Sequence, residues 1–60
     1  MKAWNEKRLA DFFRLNFDSS TCKKTIKDET MSVIDSNGET VNFIIKDNRI
    51  YSPDTKQFYA

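Results

Sequence analysis

The chain lacks histidine altogether and has one cysteine, one glycine and one proline among its 60 residues. Without histidine, neither a Ser-His-Asp nor a Cys-His catalytic arrangement can form. A single glycine excludes phosphate-cradling loops of the P-loop and dinucleotide-binding kinds. Cys22 alone can neither close an intrachain disulfide nor, without histidine, hold a zinc ion. We therefore expect a protein that is not an enzyme, with no metal ion, cofactor or small-molecule substrate.

Long apolar segments are missing as well. No apolar run approaches the length of a membrane span, and no basic-then-apolar leader follows Met1. An unpaired thiol and the lack of a leader are typical of proteins in a reducing compartment. These features predict an entire small cytoplasmic protein that does not contact a membrane.

The length sets a limit on how the protein is stabilised. Sixty residues make one small domain, 1–60, and a domain of this size buries only about 60% of the surface that its unfolded chain exposes. Because disulfides and metals are excluded, stability must come from regular packing, self-association or a partner protein. Five Phe, two Tyr and one Trp provide large apolar areas for that packing.

The net charge of +1 conceals an uneven distribution along the chain. Residues 1–27 hold seven basic and three acidic residues, whereas residues 28–60 hold three basic and six acidic ones. Two interpretations fit this polarity: the halves attract each other across the fold, or the basic half forms a functional charged face. The basic residues of that half are Lys2, Lys7, Arg8, Arg14, Lys23, Lys24 and Lys27.

Residues 5–17 have the pattern of an amphipathic helix. They contain no Pro, Gly or β-branched residue, and Asn5 is suited to the N-cap position. Lys7, Asp11 and Arg14 fall on the polar side. At about 100° per residue, the opposite side collects the apolar residues Leu9, Phe12, Phe13 and Phe17.

Trp4 and Leu15 do not fit on this apolar side and project to a flank beside Arg8. In one interpretation, Trp4 precedes the regular helix and folds back onto the core. In the other, Trp4, Arg8 and Leu15 form an exposed anchor patch, since Trp and Arg are enriched at binding hot spots. The three residues are therefore candidate partner-binding residues.

The polar segment 18–29 connects the helix to the strands. A short edge strand within 21–27 would place Ile26 inward, and its lysines would protect the edge from unwanted pairing. The alternative role for these lysines is phosphate binding. Cys22 has no neighbouring base, so we expect it to act as a small apolar residue.

Residues 30–49 predict two hairpins. Asn-Gly is a strong hairpin signal because type I′ turns need positive φ at both central positions. Two-residue loops at Asn37-Gly38 and Asp47-Asn48 then predict strands at about 30–35, 39–46 and 49–52. A turn after Pro53 permits a fourth strand at 57–59. Both registers place the same side chains on one face: Ile34, Val41, Phe43, Ile45 and Ile50.

The opposite face is predicted to carry Met31, Val33, Ile44 and Tyr51, and Phe58 of the fourth strand would extend this strip. Antiparallel sheets usually keep a solvent face polar, so an apolar strip there suggests a contact surface. In the competing interpretation, the segment with Trp4 or the pair Phe58-Tyr59 covers the strip.

These elements predict an α+β fold, in which one N-terminal helix packs on a three- to four-stranded antiparallel β-meander. The helix is expected to cover the face with Phe43 and Ile50. The other face and the flank of Trp4 remain as surfaces for a partner.

The absence of catalytic residues and the predicted apolar strip favour a small non-catalytic protein-binding module. Its partner is another protein or a second copy of the chain, and its mechanism is steric blocking. The Lys-, Asn- and Thr-rich composition is typical of phage and mobile-element proteins, which suggests a regulator or inhibitor of a host protein. The alternative is nucleic-acid binding through the basic N-terminal half, with Trp4 or Tyr51 stacking on bases. A sequence pI of about 7.8 is low for that class.

Overall fold

The computed structural model describes residues 2–60 and the side chains from Ala3 onward. Met1 and the side chain of Lys2, one of the basic residues of the N-terminal half, lie outside the described part. The elements are α1 Lys2–Asn16, β1 Lys23–Lys27, β2 Thr30–Ile34, β3 Thr40–Lys46, β4 Arg49–Ser52 and β5 Gln57–Phe58. The strands form one antiparallel sheet in chain order. The predicted α+β class is confirmed, with five strands instead of three or four.

Helix α1 begins three residues earlier than predicted and lies across β1, β2 and β3. Its apolar side is as predicted, since Leu9 and Phe13 are buried and Phe12 and Phe17 pack against the core. Asn5 lies inside the helix, so its predicted N-cap role is wrong. Within residues 2–60, no helix is long and apolar enough to cross a bilayer.

Two tight turns at the same end of the sheet have the same backbone geometry. Asp28 and Glu29 join β1 to β2, and Asp47 and Asn48 join β3 to β4. All four residues have positive φ, between 52° and 61°, as type I′ turns require. The predicted loop at Asp47-Asn48 and the strand pairs across it are confirmed. The first turn was not predicted, because Asp-Glu is not a sequence typical of type I′.

The loop between β2 and β3 differs from the prediction. It has three residues, Ser36 to Gly38, and among them only Gly38 has positive φ, at 84°. The Gly38 N–H donates to the Asp35 carbonyl at 3.1 Å, and the Asp35 N–H donates to the Glu39 carbonyl at 3.0 Å. This is a type I turn followed by a left-handed glycine, a common three-residue hairpin loop. The predicted two-residue loop at Asn37-Gly38 is therefore wrong.

The extra loop residue shifts the β2–β3 register by one and turns β2 over. Met31 and Val33, predicted on the outer face as partner-binding residues, are 0% and 2% exposed. They lie opposite Phe43 and Val41. Ile34, predicted in the core, is 42% exposed on the other side. Neither Met31 nor Val33 can therefore contact a partner in the folded protein.

The core lies between α1 and the inner face of the sheet. It is centred on Leu9, Phe13, Met31, Val33, Phe43 and Ile50, with Val41 and Ile45 packed around them. Aromatic rings meet edge to face within it: the centroid of Phe43 lies 5.1 Å from that of Phe12 and 5.5 Å from that of Tyr59. Cys22 packs against this cluster as a small apolar residue. Among the strand residues predicted in the core, only Ile34 lies on the other face of the sheet in the structure.

The observed register predicts that substitutions at two residues of β2, one buried and one exposed, differ in their effect on stability. We expect Met31→Ala to lower the free energy of unfolding by about 2–5 kcal/mol, because it removes a fully buried side chain. Ile34→Ala should change it by about 0.5 kcal/mol or less, as is usual at surface sites. Urea denaturation followed by circular dichroism measures both, and a larger loss for Ile34→Ala than for Met31→Ala would contradict the register.

Candidate functional site

The side of the sheet that faces away from α1, termed the outer sheet face, carries one continuous row of directly paired residues. The row crosses all five strands and consists of Lys27, Thr30, Ile44, Tyr51 and Phe58. At a strand spacing of about 4.8 Å, it spans about 19 Å. The row is cationic at the β1 edge, polar next to it, and apolar and aromatic over the other three strands.

Two cations lie against the aromatic rings at one end of this row. The ring centroids of Tyr51 and Phe58 lie 4.8 Å apart. Lys46 Nζ lies 4.5 Å from the Tyr51 centroid, and Arg49 Cζ lies 4.6 Å from the Phe58 centroid. Cation–π contacts of this kind contribute about 0.5–1 kcal/mol at exposed sites. They keep both positive groups next to the rings, so that charge and aromatic surface are presented together.

The formal charges of the sheet are all of one sign. The five strands contain no Asp or Glu. Their register directs Lys23, Lys27, Lys46 and Arg49 to the outer sheet face. Lys24 points the other way, with its Nζ 5.0 Å from the centroid of Phe13. The outer sheet face thus carries four cations, although the chain as a whole is only +1.

Polar side chains occupy the middle of the outer sheet face. Ser32 Oγ donates to Asn42 Oδ1 at 2.6 Å across β2 and β3. The backbone N–H of Asn42 donates to the carboxylate of Asp54 at 2.7 Å. Asp54 lies in the turn after β4, so the acidic group nearest to the middle of the face already accepts a hydrogen bond from β3.

Apart from the buried Met31 and Val33, the predicted partner-binding residues lie on two surfaces. Ile44 and Tyr51 lie on the outer sheet face, as predicted, and Trp4, Arg8 and Leu15 lie on the helix. Phe58 lies beside Tyr51 and extends the face, as predicted. Sequence reasoning missed Lys46 and Arg49 as neighbours of these rings and Lys27 at the other end of the row. The correctly predicted Asp47-Asn48 turn already contained part of this information, because alternation along β3 and β4 puts Lys46 and Arg49 on the face of Tyr51.

The basic N-terminal half does not form one surface. Lys7 and Arg14 lie on the exposed side of α1, and both bond Asp11, at 2.9 and 3.2 Å. Lys23 and Lys27 lie on the outer sheet face, together with two cations from the acidic half of the chain. The charge difference between the two halves of the sequence therefore does not form two separate surfaces in the fold. Instead, positive charge collects on the outer sheet face.

Arg8 connects the helix to the sheet. Its guanidinium donates to the Asn48 carbonyl at 2.8 Å, to Asn48 Oδ1 at 3.1 Å and to Asn5 Oδ1 at 3.3 Å. Asn5 in turn donates to the carboxylate of Glu29, and Glu6 accepts from the Glu29 N–H at 3.2 Å. The first turns of α1 are thereby tied to both type I′ turns.

Trp4 and Leu15 project from α1 away from the sheet. They are 62% and 78% exposed, which excludes the interpretation that Trp4 folds back onto the core. Beside Leu15, a groove of about 380 Å³ runs between the second half of α1 and residues 59–60, with Phe12, Ile50 and Tyr59 in its walls. Arg8 and Asp11 contribute to its lining. Trp4 and Leu15 are therefore the two apolar ends of an exposed patch, with the charged Arg8 and Asp11 between them.

Two exposed carboxylates have a lowered pKa. The hydrogen bond from Lys7 and the charges of Lys7 and Arg14 lower the pKa of Asp11. Hydrogen bonds from the side chain and backbone of Ser20 lower the pKa of Asp18, which begins the loop after α1. Both groups are ionised at neutral pH, so Asp11 presents a negative charge between Trp4 and Leu15.

Comparison with known proteins gave no match to any family model, to any curated protein or to any solved structure.

The contacts of Arg8 predict that its shape matters as well as its charge. We expect Arg8→Lys to lower the free energy of unfolding by about 0.5–1.5 kcal/mol, because an ammonium cannot reproduce the fork that spans both oxygens of Asn48. Arg14→Lys is the matched control, since Arg14 makes only an exposed ion pair, and it should change stability by less than about 0.5 kcal/mol. Equal effects in urea denaturation would contradict the role assigned to Arg8.

Proposed function

We propose that the protein binds single-stranded nucleic acid on its outer sheet face. The observation that carries the proposal is the coincidence of four cations, no strand carboxylate and a paired aromatic surface on one face. Proteins that bind single strands without strong sequence preference combine a positive surface for the phosphates with aromatic side chains for the bases. In this protein Tyr51 and Phe58 offer the stacking surface, Lys46 and Arg49 lie against it, and Lys27 lies at the opposite end of the row.

The geometry suggests which part of the ligand meets which part of the face. The row from Lys27 to Phe58 is about 19 Å long, enough for a short stretch of nucleotides. Bases would stack on the rings over β4 and β5, while phosphates pair with Lys46, Arg49 and, at the β1 edge, Lys23 and Lys27. A single strand is favoured over a duplex, since only unpaired bases can splay out to stack on side chains.

A protein partner, which the sequence favours, is the second proposal and is supported by a different surface. The burial of Met31 and Val33 leaves the outer sheet face less apolar than the sequence suggests. The exposure of Trp4 and Leu15 on α1 supports protein binding there instead. The same proposal includes a phage-type regulator or inhibitor that acts by steric blocking of a host protein. We place either activity in the cytoplasm, because Cys22 has no partner for a disulfide.

Salt dependence tests the phosphate contacts. We expect labelled single-stranded DNA and RNA oligonucleotides to bind, with log K falling against log salt at a slope of roughly −2 to −3, which corresponds to three or four phosphates. The double variant Lys27→Gln/Lys46→Gln should reduce the magnitude of the slope by about 1.4. Fluorescence anisotropy at several salt concentrations provides these values.

A matched control separates the outer sheet face from net charge. The variant Lys7→Gln/Arg14→Gln removes the same charge from the helix side and should leave the slope unchanged. Equal loss in the two double variants, or no binding of either oligonucleotide at low salt, would contradict the proposal.

Ring removal tests the stacking. We expect Tyr51→Leu and Phe58→Leu each to weaken binding by about 1–3 kcal/mol at fixed salt, the usual contribution of one stacked base. Ile44→Leu keeps both rings on the same face and should bind as the unsubstituted protein does. Unchanged affinity in the two ring variants would show that the aromatic pair does not contact bases.

A further inference from the structure

The exposed side of α1 carries a stripe of apolar and charged residues that is separate from the outer sheet face. Trp4, Arg8, Asp11 and Leu15 follow one another at spacings of four, three and four residues. At about 100° per residue they fall within about 60° of each other around the helix, and the stripe is about 16 Å long. The spacing is that of the a and d positions of helices that pack side by side. Buried Leu9 and Phe13 lie on the opposite side.

Two copies of the stripe are complementary to each other when their helices run antiparallel. Its positions are symmetric about the point between Leu9 and Ala10. If two helices pack antiparallel about a two-fold axis at that point, Trp4 of each copy comes opposite Leu15 of the other. Arg8 likewise comes opposite Asp11. A two-fold contact requires such self-complementarity, in which each residue meets its counterpart twice.

We propose that two copies of the chain associate through this stripe, with Trp4 of each copy seated in the groove beside Leu15 of the other. The groove has a volume of about 380 Å³ and walls of Phe12, Ile50 and Tyr59, which suits an indole. The contact forms two apolar Trp4–Leu15 pairs and two Arg8–Asp11 ion pairs. It leaves both outer sheet faces free, so it does not depend on the proposed nucleic-acid binding.

The charges around the stripe favour a second copy on the groove side of α1. Lys7 and Arg14 lie on the other flank and bond Asp11 within their own helix. A contact centred there would bring like charges together. Toward the groove, the flanking residues are Phe12 and Asn16. Since a contact between two short helices falls at the small end of specific interfaces, below about 1,200 Å², we expect dimers at micromolar or higher protein concentrations.

Paired charge reversal tests the proposed pairing. In a homodimer, Arg8→Asp would bring two carboxylates together at each Arg8–Asp11 contact, and Asp11→Arg would bring two guanidinium groups together. Each variant alone should therefore be monomeric. An equimolar mixture of the two contains opposite charges at these positions and should form a heterodimer in sedimentation velocity.

Two controls accompany the charge reversals. Lys56→Asp is an equal charge reversal on an exposed turn and should dimerise like the unsubstituted protein. Because Arg8 also bonds Asn48, circular dichroism checks that the Arg8→Asp variant is folded.

Leu15→Asp keeps the test decisive even if Arg8→Asp does not fold, since Leu15 is 78% exposed. We expect this variant to be folded and monomeric, and Trp4→Ala to weaken dimerisation about tenfold or more. Trp4 is the only tryptophan, so its emission in the unsubstituted protein should shift to the blue as protein concentration rises. A strictly monomeric unsubstituted protein, a dimer that survives Leu15→Asp, or folded reversal variants that do not associate when mixed would each overturn the proposal.

Discussion

The hydrogen bonds made by the carboxylate of Asp35 determine which side chains this protein buries and which it presents. Asp35 Oδ1 accepts from the N–H groups of Asn37 at 2.9 Å and Glu39 at 3.0 Å, and Gly38 adopts the left-handed conformation that the turn requires. Together these contacts set the loop at three residues. Because side chains alternate along a strand, loop length decides the face to which every residue of β2 belongs. Met31 and Val33 therefore enter the core, and Ile34 leaves it.

The opposite end of the molecule is held by the helix. Asn5, Glu6 and Arg8 bond the two type I′ turns, so the first turns of α1 are fixed above the ends of β1 to β4. With the aromatic core between them, the helix and the inner sheet face cover each other. Two surfaces remain without a cover in the described chain. One is cationic and aromatic, on the sheet, and the other is a self-complementary stripe on the helix. They face away from each other, so one chain can use both at once.

Local patterns predicted most elements, and non-local pairing accounts for what they missed. The apolar positions of α1 and the Asp47-Asn48 turn each depend on neighbours in sequence, and each was identified. The edge strand with Ile26 was considered for residues 21–27 but was not counted in the predicted sheet. Asn37-Gly38 fits both a two-residue turn and the end of a three-residue one, and the presence of Asp35 two residues earlier favours the second. The alternation of Thr30 and Ser32 with Met31 and Val33 also favours it. Lys46 and Arg49 flank the predicted Asp47-Asn48 turn, but only the sheet brings Lys23 and Lys27 of β1 onto the same face.

The register of β2 against β3 decides which residues of β2 lie in the core and which on the outer sheet face. Nuclear magnetic resonance tests this register directly. The Asn42 N–H bonds Asp54 on the side away from β2, so Ser32 and Asn42 form a non-hydrogen-bonded pair, whose Cα atoms lie about 4.5 Å apart. A strong nuclear Overhauser effect is therefore expected between the Hα protons of Ser32 and Asn42. If Hα of Asn42 instead shows that contact with Hα of Val33, the loop has two residues, β2 is turned over, and the assignment of residues to the core and to the outer sheet face is wrong.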